Sequence, residues 1–262
     1  MNAPVLSFTT DYGLADGFVA ACHGVARARA PHMPIVDVTH YVPPGDVRRG
    51  ATVLAQTVPY LPKGIHVIVI DPGVGTARHA VAVEAADGAG IVIGPDNGAV
   101  IAPVEALGGP VRAMTLTNSA LHCHPTSHTF HGRDIFTPVA AALGSGIAFD
   151  DLGEPIAVDS LVRLPETLIA SDDSGITSEV IGIDHFGNIQ LAAPGSLLER
   201  YDENWIVGGI QAVRADMFAA AKPGDLVVLV DSAQHIAVAV NGGSAAKTLQ
   251  VDTGDSLRLE NI

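Results

Sequence analysis

His66-Val67-Ile68-Val69-Ile70 runs directly into Asp71-Pro72-Gly73-Val74-Gly75. Four consecutive β-branched apolar residues after His66 make a run of the length of a strand covered on both faces. The Asp-Pro-Gly that follows stops the strand and makes a turn. The same pattern recurs on either side. Residues 5–9 form a short apolar strand that ends in Thr10-Asp11-Tyr12-Gly13. A helix is predicted over 16–29, with Phe18, Cys22 and Val25 on one face. A strand at 34–39 and a helix at 45–61 ended by Pro62 follow. Beyond the central turn, strands are predicted at 80–84 and 90–93, the second stopping at Gly94-Pro95-Asp96-Asn97-Gly98. Helices are predicted at 99–107 and 134–143. Alternating strands and helices of these lengths predict an α/β domain on a largely parallel sheet.

The tail follows different rules. From about Ser178 the helical period fades, and short β-like runs appear at 180–183, 205–207, 226–230, 236–240 and 257–259. Turn signals such as Gly208-Gly209, Pro223-Gly224-Asp225 and Asn241-Gly242-Gly243 separate them. This predicts a smaller C-terminal antiparallel, β-barrel-like domain. The boundary is placed so that residues 1–165 form the α/β catalytic domain and 166–262 the β domain, with 164–175 as linker.

The chain has 262 residues, with 14 Lys and Arg against 28 Asp and Glu, for a formal charge of −14. An apolar fraction of 48% with only 16% charged residues is enough for a sizeable core. The acidic surplus argues against nucleic acid and anionic membranes as partners, since no basic excess neutralises phosphates. No run approaches the ~20 apolar residues of a membrane span. Residues 1–7 lack the pattern of a secretory signal. Two cysteines, Cys22 and Cys123, do not make a disulfide scaffold, so a cytoplasmic location is expected.

Asp11, Asp71 and Asp96 each follow a predicted strand. In a parallel sheet the carboxyl ends of the strands line the ligand crevice, so the three predict an acidic rim; turn-making alone would equally explain each one. Arg78 stands seven residues after Asp71 across a glycine-rich turn and can fold back on it, favouring an ionised carboxylate; a surface ion pair of little worth is the alternative. His122, His124, His128 and His131 cluster in sequence and allow a metal-dependent hydrolase reading, although neither HExxH nor CxxC spacing supports it. A solvated loop is the plainer reading. His131 stands apart by opening a predicted helix. No GxSxG elbow or P-loop is present, and no GxGxxG follows the first strand. In the tail, Asp184-His185-Phe186-Gly187-Asn188, Phe218 and Asp231-Ser232 offer amide, aromatic and hydroxyl groups of the kind that read and stack a purine.

Five strings occur in order: Thr10-Asp11-Tyr12-Gly13-Leu14-Ala15-Asp16, Asp71-Pro72-Gly73-Val74-Gly75-Thr76-Ala77-Arg78, Gly94-Pro95-Asp96-Asn97-Gly98, Phe130-His131-Gly132-Arg133-Asp134 and Asp184-His185-Phe186-Gly187-Asn188. Together they resemble the S-adenosyl-L-methionine hydroxide adenosyltransferases, adenosine-forming hydrolases related to fluorinase and chlorinase. The resemblance spans nearly the whole chain. It implies an α/β domain followed by a barrel-like domain, and a homotrimer whose sites form between the first domain of one subunit and the second domain of its neighbour. The implied reaction is attack of water or hydroxide on the ribose 5′ carbon of S-adenosyl-L-methionine, with no cofactor and no metal. The family's Asp–Arg–His set falls on Asp71, Arg78 and His131. Its ribose-binding aspartate falls on Asp11, with Asp16 in support. Asp184 and Ser232 match positions that hold the methionine end, Asn188 the adenine-binding position and Phe218 the adenine-stacking aromatic.

Departures from the halogenating relatives carry information. Those proteins have an aromatic where Asp71 stands, lack a counterpart of His131, and insert a loop after the Arg motif, whereas this chain runs straight from Arg78 into His79-Ala80. All three features point to oxygen, not halide, as the nucleophile. Where many relatives carry a Thr-Asn pair after the Asn, this chain has Ile189-Gln190. A sensor that binds the same ligand without turnover is the non-enzymatic alternative.

Overall fold

The computed structural model describes residues 4–262. The chain divides into two compact units, Met1–Leu164 and Pro165–Ile262. The first carries strands β1 (Val5–Thr10), β2 (Ile35–Thr39), β3 (Gly64–Val69), β4 (Ala80–Ala85), β5 (Gly90–Pro95), β6 (Pro110–Thr115) and β7 (Pro155–Ile156). They form one sheet in the order β2-β1-β3-β5-β4-β6-β7. The four strands β2, β1, β3 and β5 are parallel, and β4, β6 and β7 join antiparallel.

Both faces of this sheet are covered, which is why β3 reads as nearly continuous apolar sequence, interrupted by His66, whose ring lies 2.8 Å from the Ser7 hydroxyl. Ile65, Val67 and Val69 point into a core with helices α1 (Phe18–Arg29) and α4 (Thr137–Gly144), together with Phe8, Cys22 and Phe136. Ile68 and Ile70 point the other way, toward Leu54 of α2 (Val47–Thr57) and Val104 of α3 (Ile101–Ala106). Alternate residues of one strand thus feed two cores. Helix α2 begins where the Asp46 side chain accepts the Arg49 amide at 2.9 Å. It is shorter than the sequence predicts because Pro59 has no N–H to continue the helical hydrogen bonds, and a 3-10 turn at Val58–Tyr60 replaces the last turn. The helix predicted over 134–143 opens as a π turn at Gly132–Phe136 and becomes α-helical only from Thr137.

The second unit contains β8 (Ile169–Asp172), β9 (Gly175–Ile183), β10 (Ile189–Pro194), β11 (Asn204–Val207), β12 (Ile210–Arg214), β13 (Leu226–Val230), β14 (His235–Val240), helix α5 (Ala245–Leu249) and β15 (Ser256–Asn261). Strand β8 lies within the segment predicted as linker. The order β10-β14-β13-β12-β11-β15-β9-β8 closes through a β10–β9 pairing, giving a seven-stranded barrel with β8 added at β9. One pairing, β12 with β13, is parallel. Leu226 and Val228 face the interior with Trp205, Ile189 and Val238, while Val227 and Leu229 pack with Ala237 and Ala239 in a second cluster. Trp205 is fully buried at the centre of this core. Trp205→Ala is expected to destabilise the unit by about 3–5 kcal/mol, measured by urea unfolding followed by circular dichroism; an unchanged midpoint would contradict this packing.

Candidate active site

Parallel strands β1 and β3 deliver their carboxyl ends to one rim, and Asp11 and Asp71 stand just beyond them. After Asp71 the chain turns tightly. The Val74 amide donates to the Asp71 carbonyl at 3.1 Å, and the Thr76 hydroxyl donates to the Gly73 carbonyl at 2.7 Å. Gly75 takes φ +78°, and a Cβ there would fall 2.3 Å from the His128 carbonyl oxygen. Glycine therefore lets the 71–78 turn lie against the backbone that leads to His131. The turn brings Arg78 back onto Asp71.

Arg78 grips two partners. Its Nε donates to Asp71 Oδ1 at 3.0 Å and an Nη donates to Oδ2. The same Nη lies 2.8 Å from His131 Nδ1. The Arg78 and Asp71 side chains are only 10% and 5% exposed. This excludes the weak surface ion pair and places the contact among buried pairs, where losing one partner costs about 3–5 kcal/mol. Because a guanidinium only donates, His131 Nδ1 is the acceptor and the imidazole proton sits on Nε2. Burial, with Arg78 second, pushes the His131 pKa below its ordinary value, so the ring is neutral at pH 7.

The loop carrying His131 is itself pinned. Asp134, fully buried, accepts the Ser127 amide at 2.9 Å and both prongs of Arg133 at 2.6 and 2.8 Å. Burial opposes its ionisation, but the Arg133 and Ser127 bonds outweigh burial and hold its carboxyl below the usual range.

Asp11, Tyr12, Asp71 and His131 line one cavity of about 350 Å³, with Val69, Pro72, Val74, Phe130 and Gly132 among its other walls. Arg78 is not in the wall; it holds Asp71 and His131 from behind. Asp11 Oδ2 accepts the Gly45 amide at 2.9 Å. Tyr12 and Gly132 escaped the sequence reading. A Cβ at 132 would fall 2.0 Å from the Tyr12 hydroxyl, so any larger residue would displace the Tyr12 ring from this position. Tyr12 also meets Phe130 edge-on at 5.7 Å. Burial, then Cys22, Asp11 and Asp71, push its pKa well above 10.0, which keeps it a neutral hydrogen-bond donor.

Several expectations need correction. Asp96 does not join the rim; its buried carboxylate accepts the Val162 amide at 2.9 Å. Asp16, expected only in support of Asp11, is exposed and outside the cavity wall, which leaves that expectation as it stands. Among the described residues, His122, His124, His128 and His131 do not converge as ligands, and the His124 ring is engaged by the Ser119 carbonyl at 2.8 Å. The metal-dependent reading built on them falls.

In the second unit, Asp184 Oδ1 accepts the Phe186 and Asn188 amides, each at 2.9 Å, and the Asn188 side chain donates to Oδ2 at 2.8 Å. Asn188, Phe186 and Phe218 line an open cavity of about 600 Å³ with Val240, Gly242 and Gly243. Both phenylalanines are exposed. Ser232 lies outside this wall, on an exposed turn where Asp231 accepts the Ala233 and His235 amides at 2.8 and 2.9 Å. Gln190, at the departure from the usual Thr-Asn pair, donates to Asp231.

Residues 6–153 match the domain family described as SAM hydroxide adenosyltransferase N-terminal domain, and residues 178–258 match its C-terminal domain. The chain belongs to the SAM hydroxide adenosyltransferase family. Within that family it is 55% identical over 258 residues to an (R)-S-adenosyl-L-methionine hydrolase from Salinispora arenicola, covering 98% of each chain. A fluorinase from an Actinoplanes species is 26% identical over 285 residues, covering 96% of this chain and 95% of that one. Among solved structures, an uncharacterized conserved protein from Thermotoga maritima superposes with a TM-score of 0.89 at 30% identity, covering 97% of this chain and all of that one.

The Arg78 geometry sets a measurable tautomer and titration. Nitrogen-15 NMR of the histidine rings is expected to find His131 protonated at Nε2, titrating below the midpoint of free histidine. Arg78→Gln removes a cation that disfavours ring protonation, so the midpoint is expected to rise. An Nδ1–H ring, or a midpoint unmoved in the variant, would contradict the assignment.

Proposed function

We propose that this chain hydrolyses (R)-S-adenosyl-L-methionine to adenosine and L-methionine. The observation that carries the reading is the Asp71–Arg78–His131 chain, which presents Asp71 and His131 to the first unit's cavity, in a protein 55% identical to an enzyme of that name. The (R) configuration at sulfur follows the relative's name. Water attacks the ribose 5′ carbon, the carbon–oxygen bond forms, and the carbon–sulfur bond breaks with its electron pair passing to sulfur. The sulfonium becomes a neutral thioether, so no general acid is needed. One proton leaves the attacking water.

Water is a poor nucleophile because its pKa is ~15.7, yet it becomes strongly acidic as it bonds to carbon. A strong base is therefore unnecessary. Asp71 faces the cavity and is the proton acceptor; Arg78 engages each of its oxygens, and each retains a further lone pair. His131, with Nδ1 held by Arg78, offers Nε2–H to orient the water oxygen. Arg78 acts through these two residues, as the positioning group. Asp11 receives the ribose hydroxyls, and Asp16 supports that turn from outside the cavity wall. Asn188 and Phe218 receive the adenine, and Asp184 and Ser232 the amino-acid end. The reaction so written calls for no resident cofactor.

The reactive trio and Asp11 belong to the first unit and Asp184, Asn188, Phe218 and Ser232 to the second, so the proposed site needs both. In line with the family resemblance, the working form is a homotrimer in which neighbouring subunits complete each site. The two unpaired cysteines suit a cytoplasmic setting, and among the described residues no helix is long and apolar enough to cross a membrane.

Incubation with the separated sulfonium epimers and chromatography for adenosine tests the reading. The (R) epimer is expected to be consumed faster. Asp71→Asn, which preserves shape, is expected to lower kcat by about 10²–10⁴-fold with little change in substrate affinity. Equal losses in both parameters would make Asp71 a binding residue, and absence of adenosine from both epimers would overturn the reaction.

A further inference from the structure

Outside the cavity, three side chains from separate elements converge: His23 on α1, Asp37 on β2 and His40 just after β2. Their nearest nitrogen and oxygen atoms lie within 4.8 Å of one another. His23 Nε2 is 2.9 Å from Asp37 Oδ1, and His40 Nε2 is 3.1 Å from the same oxygen. None of the three lines the cavity that holds Asp71 and His131.

His40 makes the cluster more than an ordinary ion pair. It is 5% exposed, and its Nε2 has no hydrogen-bond partner, because the 3.1 Å approach to Asp37 lacks hydrogen-bond geometry. Its other nitrogen, Nδ1, is 2.8 Å from the Thr10 hydroxyl. That hydroxyl oxygen also accepts the Tyr12 amide at 3.2 Å. With Nδ1–H donated to Thr10, Nε2 carries a bare lone pair 3.1 Å from a carboxylate oxygen, and the two electron-rich atoms repel. A cation between them turns that repulsion into coordination. The hydrogen bond from Nδ1 to Thr10 is the outer-shell contact that fixes a ligating imidazole.

We propose that His23, Asp37 and His40 form a binding site for a borderline divalent transition metal of the zinc type. Two imidazoles and a carboxylate are its preferred nitrogen and oxygen donors. Ligand bonds of about 2.0–2.1 Å in a tetrahedron set donors about 3.3 Å apart, close to the 2.9 and 3.1 Å that separate the two imidazoles from Asp37 Oδ1. His23 and Asp37 are 30% and 39% exposed, which leaves the fourth position to water and gives the ion a way in. The ion ties α1 to β2 and to the chain after β2. The His40 carbonyl accepts the Gly13 amide at 2.7 Å, so the ion also braces the turn that presents Asp11 and Tyr12. Its role is structural, and the proposal is independent of the hydrolase reading.

The test uses the full chain without an affinity tag, stripped with EDTA and dialysed. Calorimetric titration with zinc chloride is expected to show one saturable site per chain, and zinc is expected to raise Tm. Cobalt(II) bound there is expected to give tetrahedral visible absorption. His23→Gln and Asp37→Asn alter partly exposed side chains, so the metal-free Tm and circular dichroism should hold. Each is expected to weaken zinc binding by about tenfold or more and to abolish the Tm increase. No saturable uptake by the parent chain, or uptake by both variants equal to the parent's, would overturn the site.

Discussion

One guanidinium holds the reactive centre together. Arg78 bonds both oxygens of Asp71 and one nitrogen of His131, which lies 53 residues further along the chain. A planar fork with fixed donor directions does this in a way that a flexible ammonium would not. The bond to Nδ1 decides which His131 nitrogen carries the proton, and therefore which face of the ring can meet a water molecule. The bonds to Asp71 fix which carboxylate lone pairs remain. Burial of the pair raises the cost of disturbing it, because an unpartnered charge in that place is worse than no charge.

The fold supplies this arrangement through ordinary rules. Strand β3 is largely apolar on both faces because helices cover both; His66 within it is buried against the Ser7 hydroxyl, and the first charged residue, Asp71, appears just past the strand's end, at the ligand-facing rim of a parallel sheet. The turn after it is short enough to return Arg78 to Asp71, and Gly75 lets it lie against the His128 backbone. His131 sits at the mouth of a π turn, an irregularity frequent at functional sites, with Asp134 anchoring the loop before it.

Legibility in the sequence followed the range of the interaction. Strand β3, the Asp71 turn and the return of Arg78 rest on contacts within a few residues, and local pattern reveals them. The barrel was readable as short runs between turns, but its closure through β9 and β10 and its single parallel pair were not, since pairing partners are far apart in the chain. Tyr12 and Gly132 stayed hidden because the demand for glycine exists only once a phenol from another loop arrives. Asp96 misled for the opposite reason: its turn chemistry matches that of Asp71, yet its carboxylate turns inward to the Val162 amide. The histidines close in sequence, from His122 to His131, do not gather as ligands, whereas His23, Asp37 and His40, brought together by a helix and a strand, do. The likeness to a known family, not periodicity, pointed to Asp184, Asn188, Phe218 and Ser232.

The central claim is that solvent oxygen becomes the 5′ oxygen of the released nucleoside. Turnover of the (R) sulfonium in oxygen-18 water, with mass spectrometry of the products, tests it most directly. The label is expected in adenosine, on the 5′ oxygen, and not in methionine. Unlabelled adenosine from a catalysed reaction, or label in the amino acid, would contradict attack by water at that carbon.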